Sequence, residues 1–371
     1  MTTRKLASAA STALCLALAG SFARGQALEQ LCRDAGSPAA CPKVVRTPPP
    51  PGAPVSVACG DLDDLYDSIC GERDYSSATE IEISRLKGDI QDKAQNQAFK
   101  DAAGAPSDAF NRVFFLAYTR AAEKYAAEAL GVDPSDFVRA GDDARRALLR
   151  AVAKHPSIPL SARNRMEGIL GSVKVLLPSQ YLQLPNNDFA AAEKSLRETC
   201  DYSGVATNAF SDTSWRSSVV FCPGYLVDRA VQFKKLAPQE RLSTLRLVLA
   251  HEIAHQIDIG AFPWVYNKYV SCQWSASKAT PEEFPGLDDR WREITADSWA
   301  AEALVLENQD AASIVRNLQG SFCGRVEGDH HPSGKFRTNV LVARQPGIRA
   351  AFGCPAAAAP RLACGMDGPS P

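Results

Sequence analysis

The stretch that most constrains this chain runs from Leu245 to Asp258, LRLVLAHEIAHQID. Leu245, Val248, Leu249, Ile253 and Ile257 make it apolar on most sides, the pattern of a buried helix. Such a helix does not carry two histidines and a glutamate unless something compensates them, because a polar group that leaves water unpaired costs free energy. His251 and His255 are four apart, so they share one helix face and can grip one ion. Glu252 lies beside them and can reach a water on that ion. A zinc ion is the simplest compensation for H-E-x-x-H, and the bland alternative is a chance match on an ordinary core helix.

A second helix is predicted over RWREITADSWAAEALVLEN, capped by Asp288 or Asp289, with Trp291, Ile294, Ala301, Leu304 and Val305 facing the core. Glu293 and Asp297 are four apart and share a face. A catalytic zinc takes three protein ligands and keeps one position open, so Glu293 fits the third place after His251 and His255. Asp297 can then accept the free N–H of a ligand imidazole and fix its tautomer. By itself the pair could equally be two surface carboxylates. A third cluster, GDHHPSGKFR, spans Gly328 to Arg337, so these segments hold four of the chain's five histidines. His330 and His331 are adjacent and rarely point the same way, and a solvated loop is the plain alternative. His155 precedes a proline at a helix end, where a surface role is expected.

The 371 residues carry a net charge of -1 and are 45% hydrophobic, enough for a sizeable core. Such a charge gives no reason to expect nucleic acid or an anionic membrane as partner. Arg4 and Lys5 precede an apolar run from Leu6 to Gly20, then small residues around Ala23 to Ala27. This reads as a secretory signal peptide over residues 1–27, cleaved near Gly25 or Ala27, too short to remain as a membrane span. The chain is therefore expected to be exported, secreted or periplasmic, with no stable membrane insertion afterwards. Apart from Cys15 in the signal there are ten cysteines, an even number that suggests disulfides in an exported chain. Residues 28–55 end in TPPPPGAP and read as a linker, with Cys32 and Cys41 closing a local loop.

Residues 56–190 read as a helical lobe. Helices are predicted over EIEISRLKGDIQDKAQNQAF, DAFNRVFFLAYTRAAEKYAAEAL, DARRALLRAVAKH and SARNRMEGILGSVKVLL, with Asp108 and Ser161 as caps and Gly104 to Pro106 and Pro134 as breaks. SSVVF, Ser217 to Phe221, reads as a strand, either an edge that holds a peptide by strand addition or one arm of a plain hairpin.

These motifs together resemble the neprilysin-like gluzincin zinc metallopeptidases. Cys59, DDLY and Cys70-Gly71 resemble that family's C-x-D-F-Y-x-Y-A-C-G opening, and TNAFSDTSWRSSVVFCPGYL its V-N-A-x-Y…I-x-F-P-A-x-I-L segment. HEIAHQID and REITAD resemble its H-E-x-x-H-x-x-D and E-x-x-A-D helices, and DHHPSGKFR and AFGC…C its tail. The resemblance covers Cys200 to Cys364 well and earlier residues patchily. It implies a mainly α fold with a small β-sheet (α+β), a thermolysin-like core over residues 191–371, and a reduced helical lobe before it.

It further implies His251, His255 and Glu293 as ligands of one Zn2+ ion, Glu252 as general base and Asp297 behind a ligand. Asn208, Ala209 and Arg337 would bind the substrate backbone, and His331, oriented by Asp329, would stabilise the oxyanion. The family pairing implies disulfides Cys59–Cys354, Cys70–Cys323 and Cys272–Cys364, leaving Cys200–Cys222 and Cys32–Cys41. The chain departs from the family in its shorter length, in Ala250 and Ser211, in Cys222-Pro223, in SWAAE after Asp297 and in the absence of a C-terminal tryptophan. The expectation is a zinc endopeptidase acting on peptides or small proteins. The alternative is an inactive extracytoplasmic binding or structural protein on the same scaffold. An aminopeptidase would need a G-x-M-E-N segment, which the chain lacks.

Overall fold

The computed structural model of the chain describes residues 57–70, 77–155, 158–183, 189–200, 209–212, 217–232, 236–277, 290–307, 310–323, 331–355, 364–365 and 368–369. The expected signal peptide, the linker and the Cys32–Cys41 pair lie outside these residues, as do Asn208, Asp288, Asp289, Asp329 and His330. A 3-10 turn, Cys59–Asp64, leads into α1 (Leu65–Cys70) and the long helices α2 (Ser77–Asp101), α3 (Ser107–Leu130), α4 (Pro134–Lys154) and α5 (Leu160–Ser172). Next come β1 (Lys174–Leu176), α6 (Pro178–Leu182), α7 (Phe189–Thr199), β2 (Ala209–Asp212), β3 (Ser218–Phe221), α8 (Pro223–Gln232) and α9 (Pro238–Ser243). The remainder is α10 (Arg246–Ala254), α11 (Asn267–Ser277), α12 (Arg290–Leu306), α13 (Ala311–Ser321), α14 (Gly334–Phe336), a π-helical segment (Arg337–Val342), α15 (Pro346–Ala351), β4 (Cys364–Gly365) and β5 (Gly368–Pro369). The described fold is thus mainly helical, with a small three-stranded sheet and a two-stranded β4–β5 ladder. Among the described residues no helix is long and apolar enough to cross a membrane.

Several boundaries differ from the sequence reading. Helices α3 and α5 begin directly after Pro106 and Pro159, whose fixed φ starts a helix, so Asp108 and Ser161 lie inside first turns and are not caps. Helix α4 begins at Pro134, well before the expected Asp143. Asp133 accepts from Ser135 N at 2.9 Å, Asp136 accepts from Asp133 N at 2.9 Å, and Pro134 opens the helix instead of breaking it. The helix expected to run through Leu177 stops at Ser172, and Lys174–Leu176 forms β1.

In the sheet β3 is central. It pairs parallel with β1 (Val175 opposite Val219) and antiparallel with β2 (Phe210 opposite Val220). All four of its residues are buried, as a strand covered on both sides requires. The strand preceding the histidine helix is therefore interior, and β2 takes the edge position that the sequence reading offered to β3.

Helix α4 turns a stripe of Phe137, Ala140, Gly141, Ala144, Ala147, Leu148, Ala151 and Val152 inward. These small side chains let α10 and α12 pack on it and on each other. A Cβ at Gly141 would lie 2.4 Å from Val175 Cγ2, so only glycine lets α4 approach β1 this closely. One hydrophobic core runs from Leu62 to Cys354 and includes residues on both sides of position 190. The first turn of α10 has no cap of its own. Its Leu247 N–H is instead taken by buried Asn317 of α13 at 3.1 Å.

Disulfides Cys59–Cys354 and Cys70–Cys323, with Cα atoms 5.4 and 5.2 Å apart, tie the region of α1 to the C-terminal part of the chain. Tyr66 N donates to Asn339 Oδ1 at 2.8 Å and Gln319 Nε2 to Ile69 O at 3.0 Å across the same contact. Cys200–Cys222 joins the end of α7 to β3 and α8. Cys272 is also disulfide-bonded, and β4, which opens with Cys364, packs on its helix α11.

Candidate metal centre

Helix α10 is buried along nearly its whole length, and His251 and Glu252 are buried with it. It ends at Ala254, earlier than the sequence suggests. His255 is its C-cap, still in αR geometry, and Ile257 and Asp258 fall in the tight turn that follows. Gln256 N bonds to Ile253 O at 3.1 Å and Ile257 N to Ala254 O at 2.9 Å, so the chain tightens to three-residue spacing. That turn brings Asp258 back beneath His255.

Helix α12 lies against α10 and presents Glu293 from its first turn. His251 Nε2 stands 3.0 Å from Glu293 Oε2 and 3.1 Å from His255 Nε2. His255 Nε2 stands 3.4 Å from Glu293 Oε1, and His331 Nε2 stands 3.0 Å from Glu293 Oε2. His251, Glu293 and His331 form a group that could hold a metal ion, their ligand atoms all within 4.8 Å of one another. The resemblance gave His331 the role of oxyanion partner; its Nε2 lies 3.0 Å from Glu293 Oε2, on the same carboxylate oxygen that His251 approaches.

The donor set fits a metal on tautomer grounds. His251 Nδ1 faces Asp297 Oδ1 at 2.8 Å, and His255 Nδ1 faces Asp258 Oδ2 at 3.0 Å. A carboxylate can only accept, so each Nδ1 carries a hydrogen, and in the neutral form of each ring the Nε2 lone pair turns inward. Two lone pairs 3.1 Å apart repel unless a proton or a metal ion lies between them. Glu293 Oε2 is buried and, among the described residues, has no hydrogen bond of good geometry, although two imidazole nitrogens crowd it. An oxygen in that position is poised for a cation.

Electrostatics follow the same lines. Burial disfavours charge on His251, but Asp297 and Glu293 outweigh it and raise the imidazole's pKa. Burial also opposes charge on His255, yet Asp258 and Glu293 raise it to about 10. Glu293 would be pushed up by burial, but the three imidazoles hold it far below the usual carboxylate range. Asp297 would be pushed up likewise, and Arg337 and His251 bring it down to about 2. Glu252 behaves oppositely. Burial raises its pKa against the pull of His251 and His255.

Arg337 opens the π-helical segment, in which Ala343 N bonds to Thr338 O at 2.9 Å, five residues back. Its Nε and Nη2 donate to Asp297 at 2.6 and 2.7 Å, and its guanidinium lies 4.2 Å over the Phe322 ring. Two of the three nitrogens expected to meet a substrate are thus committed to Asp297. Ala209 opens the edge strand β2, where Gln256 Nε2 donates to Ser211 Oγ at 2.6 Å and Asp212 O at 3.1 Å. His155 is not on the surface. Its Nε2 lies 2.6 Å from Glu302 Oε2 and its ring meets buried Trp299 edge-on.

Three residues carried no role in the sequence reading: Asp258 and Arg292, which back His255, and Gln256, which ties the end of α10 to β2. An acid three residues after His255 is a usable signal for Asp258, because i and i+3 meet at a helix end. Arg292 and Gln256 gain meaning only from packing. No protein-family model matches this chain, and no curated protein matches it either.

Proposed function

We propose that the chain is an exported zinc-dependent endopeptidase with a thermolysin-like core of the neprilysin-like type, acting on peptides or small proteins. The observation that carries this reading is the meeting of His251 Nε2, His255 Nε2 and the Glu293 carboxylate at 3.0–3.4 Å. Nitrogen and oxygen ligands about 2.0–2.1 Å from a tetrahedral zinc lie roughly 3.3 Å from one another. The three groups therefore already stand at ligand-to-ligand separations, and they come from two helices with no other reason to aim polar groups at one buried point. A zinc ion held there supplies a Lewis acid and makes a water acidic near neutral pH.

The chain's own residues do the rest. Asp297 and Asp258 fix the tautomers of the two imidazoles. Glu252 takes the proton of the attacking water and delivers it to the leaving amine, and its burial brings its pKa toward the working range of a base. His331 donates to the oxygen of the scissile carbonyl as charge builds there, with Asp329 orienting it. Asn208, Ala209 and the edge strand β2 align the substrate backbone by strand addition. Arg337, through the nitrogen not bound to Asp297, contacts a substrate carbonyl.

One observation favours a second reading. His331 Nε2 lies as close to Glu293 as His251 does, and a fourth protein ligand would close the site as in structural zinc centres. The protein would then be a non-catalytic binding scaffold. Cleavage of a peptide library with and without a chelator, using wild type and Glu252→Gln, separates the two. The peptidase reading expects chelator-sensitive cleavage and, in the variant, full zinc content with turnover lower by about 10²–10⁴. Zinc-loaded wild type that cleaves nothing, or equal turnover in the variant, rejects it.

A further inference from the structure

We propose that Arg292 is a positioning residue for His255, acting through Asp258. The inference rests on reading His255 as a ligand of the proposed zinc. Asp258 has no solvent exposure and its carboxylate is held at three points. Oδ1 accepts Gly260 N–H at 2.7 Å, while Oδ2 accepts His255 Nδ1 at 3.0 Å and Arg292 Nε at 2.9 Å. The backbone contact fixes one oxygen. Arg292 fixes the other at the angle that meets the imidazole.

Arg292 directly precedes Glu293 on α12. The first turn of that helix thus supplies one candidate ligand and, from the residue just before it, the clamp on a candidate ligand at the end of α10. Seating α12 on α10 sets both at once. Remove the guanidinium and the carboxylate can rotate about its remaining anchor, leaving the His255 ring free to turn its Nε2 away. Arg292 is 46% exposed, so the clamp works through partly solvated charge and weakens as salt rises. The backbone leaves an independent probe. A Cβ at Gly260 would lie 3.0 Å from both Arg292 Nε and Asp258 Oδ1, so Gly260→Ala crowds the pair without changing its charge.

The test measures zinc affinity by competition with a chromogenic chelator at about 0.05 M and about 1 M salt. It uses wild type, Arg292→Met, Arg292→Lys and Gly260→Ala, with thermal unfolding of each metal-free protein alongside. Removing a direct partner of a metal-bound histidine costs about 10–100-fold in affinity, so a group one step further out should cost about 3–10-fold. Arg292→Met should show that loss at low salt and less of it at high salt. Arg292→Lys should recover part, Gly260→Ala should fall between, and metal-free unfolding should barely move. Wild-type zinc affinity in Arg292→Met at low salt overturns the proposal while leaving the zinc reading intact. A loss of metal-free stability with no change in affinity overturns it in favour of a purely structural ion pair. Wild type that takes up no zinc at all overturns both readings.

Discussion

His251 and His255 each donate Nδ1–H to a fully buried aspartate, and each aspartate is gripped by an arginine, but the two arginines live in different solvents. Arg337 is buried, holds Asp297 with two nitrogens at 2.6 and 2.7 Å, and packs over Phe322. Arg292 reaches Asp258 from a half-exposed position through one nitrogen at 2.9 Å. Chemistry is shared and dielectric is not. In a dry site the pair interacts strongly and neither partner can be removed alone, because the other is stranded. At the rim the same contact is screened and a released arginine turns to water. The first support should thus couple the centre to the stability of the fold. The second should tune the centre with little effect on the fold.

The contrast is sharpest in stability. Asp297→Ala strands a buried guanidinium and should cost about 3–5 kcal/mol, read as a lower denaturant midpoint of the metal-free protein. A cost below about 1 kcal/mol would erase the distinction between the supports. Acid should report the same pair. The carboxyl of Asp297 is held down at about 2, below its unfolded value of about 3.9. A depressed pKa gives stability that is complete above pH ~4 and lost as pH falls through about 2, roughly 2–3 kcal/mol in all. Asp297→Asn should flatten that part of the stability–pH curve, and an unchanged acid limb would remove Asp297 as its source.

Effects at the other support should be smaller and more selective. Asp258→Asn should weaken zinc about 10–100-fold, as for a direct partner of a ligand imidazole, while metal-free unfolding shifts less than in Asp297→Ala. Equal stability losses in the two variants would contradict the contrast. Smallest of all is the salt-dependent effect of Arg292. In catalysis, His331→Ala should lower kcat by about 10²–10³ if it meets the oxyanion, with zinc content kept. Loss of zinc in that variant would move His331 among the ligands.

The parts of this molecule that could be read from the chain are those whose chemistry is local in sequence. His251, Glu252 and His255 announce themselves because a shared helix face is fixed by spacing, and Glu293 with Asp297 repeats the device on α12. The disulfides are the exception: Cys59–Cys354 and Cys70–Cys323, 295 and 253 residues apart, are legible through the family resemblance and not through spacing, and Cys200–Cys222 is a pair that the resemblance left over. What escaped depends on distant partners. Lys174–Leu176 is a three-residue strand that exists because β3, far along the chain, offers it a ladder. Asn317 caps α10 from another helix, and Arg292 is an ordinary surface arginine until α12 is seated. The early end of α10 escaped too, because Ile257 continues the apolar pattern while Asp258 closes a turn on Gly260.

The central claim is that His251, His255 and Glu293 hold one zinc ion between two helices. Zinc content together with the zinc K-edge absorption spectrum of the purified protein tests it most directly, with His255→Ala as control. The account predicts one zinc per chain, nitrogen and oxygen ligands at about 2.0–2.1 Å, an imidazole signature, and loss of tight binding in His255→Ala. A wild-type protein that takes up no zinc, or a His255→Ala variant that binds it as tightly as wild type, would contradict the account.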